Sequence, residues 1–165
     1  MFKLKSIAKQ AIPAALKRAD HYRLLNEPRA AESICLDVLE IDPDNPVALK
    51  TWLLALTDQF SAGESARRME QAKQLLPRLN AYEQKYYAGI IAERFARAQL
   101  ELGHPGANAS AYAYLCDAMK FYDEASELGP DGNDEAVLRY NTCVRTISWH
   151  RLVPSLPDEQ EPQLE

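Results

Sequence analysis

Apolar residues recur along this chain at spacings of three and four, which is the period of an amphipathic α-helix. The pattern is interrupted at prolines, glycines and short polar clusters. It predicts helical segments over approximate residues 13–25, 28–41, 46–60, 61–76, 80–102, 108–128 and 134–149. We therefore expect a nearly all-helical fold with no sheet. Our count of main helices is five, fewer than the number of these segments.

Residues with capping propensity mark several of these boundaries. Asn45 followed by Pro46 is typical of a helix start, because the asparagine side chain caps and proline fits the first turn. Asn80 with Glu83, and Ser61 with Glu64, have the spacing of a capping box. Gly103 is predicted to end the long segment that begins near Asn80.

Three stretches share one spacing: a small residue, a larger apolar residue at +4, a small to medium residue at +7 and a proline at +12. Offsets of four and three place the first three on one face of a helix, which the proline then ends. The sets are Ala31, Cys35, Val38 and Pro43; Ser65, Met69, Ala72 and Pro77; and Ala118, Tyr122, Ala125 and Pro130.

A period of 34 residues between Pro43 and Pro77, with two helices in each unit, resembles the tetratricopeptide repeat (TPR). The unit 12–45 also has Ala19 and Tyr22 where the family has a small residue and an aromatic. The unit 46–79 has Trp52 where a large apolar residue is usual, but departs at Leu53 and Leu56. The unit 80–130 is longer and keeps only the second-helix signature. The alternative is an ordinary helical bundle with chance spacing.

The resemblance implies an all-α, TPR-like right-handed solenoid of helical hairpins, with an extended third hairpin and a C-terminal capping helix. It also implies a concave groove, lined by the first helix of each hairpin, that holds a peptide. Carried over residue by residue, the groove positions are Leu16, Asp20, Arg23, Leu24, Val47, Lys50, Leu54 and Asp58. The carboxylate clamp of some members is not expected, since Asp20 and Leu54 occupy its asparagine positions.

Charge divides the chain unevenly. Residues 1–30 carry a net charge of +5, and the remainder carries −10. We interpret 1–11 as a basic N-terminal segment, 12–150 as one helical domain, and 151–165 as an acidic, proline-containing, disordered tail. The basic segment is predicted either to pack or fray beside the first repeat, or to contact a membrane or a partner. The acidic body argues against nucleic-acid binding, and no apolar run would span a membrane.

Reactive side chains show no site pattern. The three cysteines and three histidines have no metal-ligand spacing, so no metal and no cofactor is expected. His104 with Cys116 is the sole candidate nucleophile–base pair, and a pocket with Tyr86, Glu93 and Arg94 is the sole candidate ligand site. For Glu93 and Arg94 we prefer exposed positions on a long helix. An odd number of cysteines fits a reducing cytoplasm.

The tyrosines of the long hairpin have two interpretations. Tyr86 and Tyr87 either fill the core with their neighbours or form an aromatic patch for a partner. We expect a non-enzymatic adaptor that binds a protein or peptide segment, with Arg23 and Lys50 near each other in the groove. Self-association through the extended hairpin is the alternative, and a small-ligand-binding protein or enzyme comes third.

Overall fold

The computed structural model describes residues 2–62 and 64–154, and within those ranges it contains helices and no strand. These ranges contain seven α-helices, so the count of five main helices is wrong: each predicted helical segment forms a helix of its own. The helices are α1 (Ile12–Leu24), α2 (Pro28–Ile41), α3 (Pro46–Thr57), α4 (Ser65–Lys73), α5 (Ala81–Leu102), α6 (Ala107–Leu128) and α7 (Glu135–His150). The predicted tail lies outside the described residues from 155 onward.

The helices pack in chain order, each on the next. In addition, α1 packs on α3, and α3 packs on α5. The chain therefore forms three antiparallel hairpins, α1–α2, α3–α4 and α5–α6, followed by α7. The first helices of neighbouring hairpins, α1 with α3 and α3 with α5, are in contact, and side chains from all three contribute to the candidate site described below.

The repeated small–large–small sets lie on buried helix faces. Every member of the α2 set (31, 35, 38) and of the α6 set (118, 122, 125) has no exposed surface. In the α4 set, Met69 and Ala72 are buried, but Ser65 is the first residue of the helix and is half-buried. Pro43 and Pro130 follow their helices as predicted, whereas Pro77 lies in a separate 3₁₀ turn, Leu76–Arg78.

Two of the three predicted caps are confirmed. The Asn45 side chain accepts a hydrogen bond from the Ala48 N–H, and Asn80 with Glu83 forms a reciprocal capping box. The Ser61 cap is wrong. The chain after α3 turns through a 3₁₀ segment (Phe60–Ala62), and Glu64 occupies the N-cap position of α4 in the left-handed region without a side-chain cap. Both α3 and α4 are consequently shorter than the periodicity predicts.

The long hairpin is held by close approach of its two helices. Gly103 ends α5 in the left-handed region at φ 63°, as its type predicts. The three-and-four spacing of Gly89, Ala92 and Ala96 predicts a small-residue face for close approach of the next helix, and all three are buried on α5. A Cβ on Gly89 would lie 2.5 Å from the ring of Tyr122, so the tyrosine of α6 fits only because residue 89 has no side chain.

The outer face of α7 differs from the polar face expected of a capping helix. Thr142 and Thr146 are half-buried, and their hydroxyls bond to carbonyls of α7 itself. Four large apolar side chains are exposed to solvent beside the exposed Arg145 and Ser148: Val137, Leu138, Val144 and Trp149. After α7, Arg151 takes a left-handed conformation and directs Leu152 into the core, where its exposed fraction is 5%. The described start of the predicted tail is therefore part of the packed domain.

The basic N-terminal segment is mostly exposed to solvent. Residues 2–8 form neither helix nor strand, and a 3₁₀ turn (Lys9–Ala11) leads into α1. Ile7 packs on the apolar cluster of Ile12, Val38 and Ala48. Phe2 and Leu4 do not pack on the first hairpin. Among the described residues, no helix is long and apolar enough to cross a membrane.

Candidate interaction groove

Charged side chains from the C-terminal ends of α1 and α3 and from the middle of α5 form one cluster. Asp58 follows the last residue of α3 and accepts a hydrogen bond from Arg23 of α1, with 2.7 Å between Nε and Oδ2. Arg94 of α5 donates to the other Asp58 oxygen and, at 2.7 Å, to the hydroxyl of Thr57. One carboxylate thus joins α1, α3 and α5, and it neutralises only one of the two guanidinium groups.

Burial changes the electrostatics of this cluster. Only 21% of the Arg94 side chain and 15% of the Arg23 side chain remain exposed. Desolvation lowers the pKa of Arg94, and the neighbouring Asp58 carboxylate opposes that shift. Arg94 nevertheless stays charged, because a guanidinium group remains protonated in proteins. Asp58 and the two arginines together carry one net positive charge, which the exposed Asp20, 3.7 Å from Arg23, offsets.

A second ion pair lies at the opposite end of the groove. Lys50 of α3 reaches Glu83 in the first turn of α5, with 2.7 Å between Nζ and Oε1. Lys50 precedes Asp58 by eight residues, which places the two pairs about 12 Å apart along α3. Arg23 and Lys50 therefore lie on neighbouring first helices but at opposite ends. Each already binds a carboxylate of this chain.

The other groove positions are only partly available to a partner. Asp20 is exposed and lies 3.7 Å from an Nη atom of Arg23. Leu16 packs on the cluster around Ile12, and Leu54 packs against the core of the long hairpin, so both are half-buried. Leu24 and Val47 are the accessible apolar positions, with exposed fractions of 81% and 50%.

Beyond the Arg94 cluster, α5 contributes a buried carboxylate. Glu93 has an exposed fraction of 3%, which contradicts the expectation of a surface charge. The Tyr122 hydroxyl donates to its Oε2 at 2.7 Å, and Arg139 of α7 donates to its Oε1 at 3.1 Å. Burial, and then the negative charge of Glu93, raise the pKa of Tyr122, so the phenol stays protonated and remains a donor. These bonds tie α5, α6 and α7 together.

The tyrosines of α5 mainly fill the core. Tyr86 is half-buried, stacks on Tyr82 with 5.7 Å between ring centroids, and lies edge-on to Tyr87. Tyr87 packs against the cores on both sides of α5. Burial raises its pKa to about 12. These contacts favour core packing over an aromatic patch for a partner.

An open cleft of about 1080 Å³ adjoins the Arg94 cluster. Its walls are the turns after α1 and α3 and the second half of α5. Two of its arginines, Arg29 and Arg97, are exposed, and Arg97 has only a 3.6 Å contact with the buried Glu93. Four arginines line the cleft against Glu27, Asp58 and Glu101, which leaves one net positive charge. Leu24 contributes apolar surface at the same place.

Sequence reasoning named Arg94 as a pocket candidate but missed the importance of Arg97. Residues 86, 90, 94 and 97 follow the three-and-four spacing of one helix face. That face carries a tyrosine, an isoleucine and two arginines, so the spacing is the signal that would have placed Arg97 beside Arg94. The sequence does not show that Arg94 and Arg97 of α5 lie opposite the loop that follows α1.

A smaller depression of about 430 Å³ lies on the other side of α5, between α4 and α6. Its lining is mainly apolar and includes Met69, Ile91 and Phe121, with Lys85 and Asp117 at the rim. Lys85 lies 6.0 Å from the centroid of the Phe121 ring. The shortness of α4 leaves this space unfilled.

Two of the chemical sites considered from the sequence, a metal site and the His104–Cys116 pair, can be compared with the structure over 2–62 and 64–154. No group of three or more His, Cys, Asp or Glu residues could hold a metal ion in these ranges. His104 is exposed in the turn between α5 and α6, whereas Cys116 lies nine residues into α6, about 13 Å along the helix. That distance separates the candidate nucleophile from its candidate base.

No protein-family model matches this chain, and neither a curated protein nor a solved structure shows detectable similarity to it. The groove must therefore be interpreted from its own geometry and charges.

Proposed function

We propose that this chain is a TPR-like right-handed solenoid of helical hairpins that binds a segment of a protein partner and performs no catalysis. The packing of α1 on α3 and of α3 on α5 supports this architecture, because stacked first helices are the element that forms the concave side of such an array. The buried sets in α2 and α6, and the buried Met69 and Ala72 of α4, fit the same interpretation.

The open cleft beside Arg94 is the observation that carries the proposed binding function. It has a volume of about 1080 Å³ and places exposed cations beside Leu24, whose exposed fraction is 81%. A partner segment with an acidic residue next to an apolar residue satisfies both features. The acidic group meets Arg97 and Arg29 at the rim, and the apolar group covers Leu24.

The internal ion pairs determine which residues test this proposal. Arg23 and Lys50 hold Asp58 and Glu83, so charge reversal at either one disturbs packing as well as binding. Arg29 and Arg97 are exposed, and their replacement leaves those two bridges in place. Arg97 also lies 3.6 Å from the buried Glu93, so thermal unfolding followed by circular dichroism verifies that each variant keeps its fold.

The test begins with affinity purification of the partner from the native cell extract and mapping of the bound segment. Binding of that segment is then measured by calorimetry for wild type and for Arg29→Glu/Arg97→Glu. We expect at least about tenfold weaker binding, and weaker binding of wild type as salt rises. The control Arg67→Glu/Arg145→Glu makes the same change in net charge at exposed positions outside the cleft. Equal affinity for the cleft variant and wild type would refute this site.

Self-association is the second candidate function. Its supporting observation is the exposed apolar side chains of α7, whereas the tyrosines of the long hairpin mainly fill the core. Leu138 and Trp149 have exposed fractions of 63% and 73% and lie three helical turns apart. A patch of this kind is typical of an interface. Sedimentation over a range of concentrations distinguishes the two candidates: Leu138→Ser/Trp149→Ser abolishes a concentration-dependent mass if α7 forms the interface.

A further inference from the structure

The first nineteen residues of this chain are strongly basic, and the proposed groove gives no role to that positive charge. The first nineteen residues contain five cations and no aspartate or glutamate; the first acidic residue is Asp20. They therefore carry +5, while the remaining residues carry −10. The cations are Lys3, Lys5, Lys9, Lys17 and Arg18.

All five cationic side chains are exposed, and none forms an ion pair within the described ranges 2–62 and 64–154. Two large apolar side chains stand among them: Phe2 is fully exposed, and Leu4 has an exposed fraction of 89%. Neither belongs to an apolar cluster of the described fold. A cationic surface thus coincides with apolar groups that water solvates unfavourably.

The segment that carries these groups is attached close to the domain. Ile7 packs on the cluster formed by Ile12 and its neighbours, and Leu4 lies three residues before it. Leu4 therefore stays within about 10 Å of the packed surface. Lys9, in the 3₁₀ turn, and Lys17 and Arg18, on α1, extend the cationic surface onto the folded domain.

We infer that residues 2–18 bind the surface of a membrane that contains anionic phospholipids. Phe2 and Leu4 enter the boundary between headgroups and acyl chains, and the lysines bind the phosphate and carboxylate groups above it. Each lysine near such a surface strengthens binding about fivefold. Apolar insertion and basic charge are two weak signals that act together in reversible membrane binding.

An acidic protein segment is a less suitable occupant of this surface. It would neutralise the lysines, but burial of Phe2 and Leu4 would require an apolar cavity in the partner. The clefts described above are lined by other residues, so this binding is independent of the proposed groove. A membrane needs no complementary cavity, since the acyl region accepts any apolar side chain.

The test is co-sedimentation of the full chain with vesicles of phosphatidylcholine, with and without phosphatidylserine. We expect binding only when phosphatidylserine is present, and its loss at high salt. Lys3→Ser/Lys5→Ser is expected to weaken partition about 25-fold. Phe2→Ser/Leu4→Ser is expected to weaken it at least about tenfold. Lys73→Ser/Lys120→Ser removes the same charge from exposed positions on α4 and α6, and should bind within about twofold of wild type.

Three results would overturn the inference: no binding to phosphatidylserine vesicles, an equal loss in the Lys73/Lys120 control, or unchanged binding of the Phe2/Leu4 variant. The last result, combined with loss in the Lys3/Lys5 variant, would indicate a purely electrostatic surface for an acidic macromolecule. Circular dichroism of each variant verifies that the helices are intact. Arg29 and Arg97 are unchanged in these variants, so failure here leaves the groove proposal standing.

Discussion

The first and third hairpins bury different residues at the same position of the repeated spacing, and the difference determines how each hairpin is held. In the first hairpin, Cys35 of α2 is fully buried beside Ala19 of α1. In the third, Tyr122 of α6 is fully buried against Gly89 of α5. A small apolar residue accepts an alanine opposite it, whereas a tyrosine ring requires a glycine.

The tyrosine has a second requirement that the cysteine lacks. Its hydroxyl is buried and needs a partner, which is Glu93. That carboxylate is buried in turn and binds Arg139 of α7. One larger side chain is thus accompanied by a polar network across three helices. The corresponding links of the first two hairpins, such as Arg23 with Asp58, lie at the edge of the fold.

Truncation of the two equivalent residues should show the largest contrast. Tyr122→Ala removes a fully buried aromatic side chain and one donor to Glu93, so we expect a loss of about 3–5 kcal/mol in the free energy of unfolding. Cys35→Ala removes only a thiol, with an expected loss of about 1 kcal/mol. Urea denaturation of both variants measures the difference.

Tyr122→Phe separates packing from hydrogen bonding at this position. The ring is retained and Glu93 loses a donor, for which we expect about 1–3 kcal/mol. Similar losses for Tyr122→Ala and Cys35→Ala would show that the two hairpins do not differ in the way described here.

Replacement of the small first residue of a set by leucine should destabilise α6 more than α4. We expect this difference in unfolding free energy to be smaller than that between Tyr122→Ala and Cys35→Ala. Ala118 has no exposed surface, so Ala118→Leu overpacks the long hairpin and should cost about 1–3 kcal/mol. Ser65 occupies the equivalent position, but it is half-buried at the start of α4. Ser65→Leu should therefore change stability by less than about 0.5 kcal/mol.

Thermal unfolding followed by circular dichroism compares these two variants. An unchanged melting temperature for Ala118→Leu would mean that α6 does not need a small residue there. A severe loss in Ser65→Leu would mean that α4 is packed as tightly as α6.

Alkaline pH should reduce the stability of the fold by a smaller amount, through one buried thiol in the first hairpin and one in α7, which packs on the third hairpin. Burial raises the pKa of Cys35 and of Cys143 from 9.0 to about 12; nearby Arg23 opposes the first shift, and nearby Glu93 adds to the second. An unfolded thiol ionises near pH 9.0, so unfolding releases a proton from each cysteine between pH 9.0 and about 12. The free energy of unfolding should therefore fall above pH 9, by up to about 1.4 kcal/mol per pH unit for each thiol.

Urea denaturation at pH 8 and pH 10 tests this pH dependence. Cys35→Ala and Cys143→Ala should each remove about half of the loss of unfolding free energy that the two thiols cause between these pH values. A slope that neither variant changes would assign the loss to other groups, such as Tyr87, whose pKa burial also raises.

Sequence reasoning identified the helices better than the groove. Asn45 and Asn80 were predicted correctly as caps, because a cap depends on residues within one helical turn. Ser61 has the same local spacing with Glu64, but its hydroxyl donates to Glu101 of α5. The turn between α3 and α4 is decided by contacts with α5, which no local pattern contains.

By itself, the sequence determined the positions of the seven helices, the buried sets in α2 and α6, and the small-residue face of α5. Each follows from periodicity and capping, which act over a few residues. Only the tertiary structure decided that Arg23 and Lys50 bind carboxylates of this chain and that Glu93 is buried. Those partners lie 29 to 46 residues apart in the chain, so the stacking of the helices determines which charges meet.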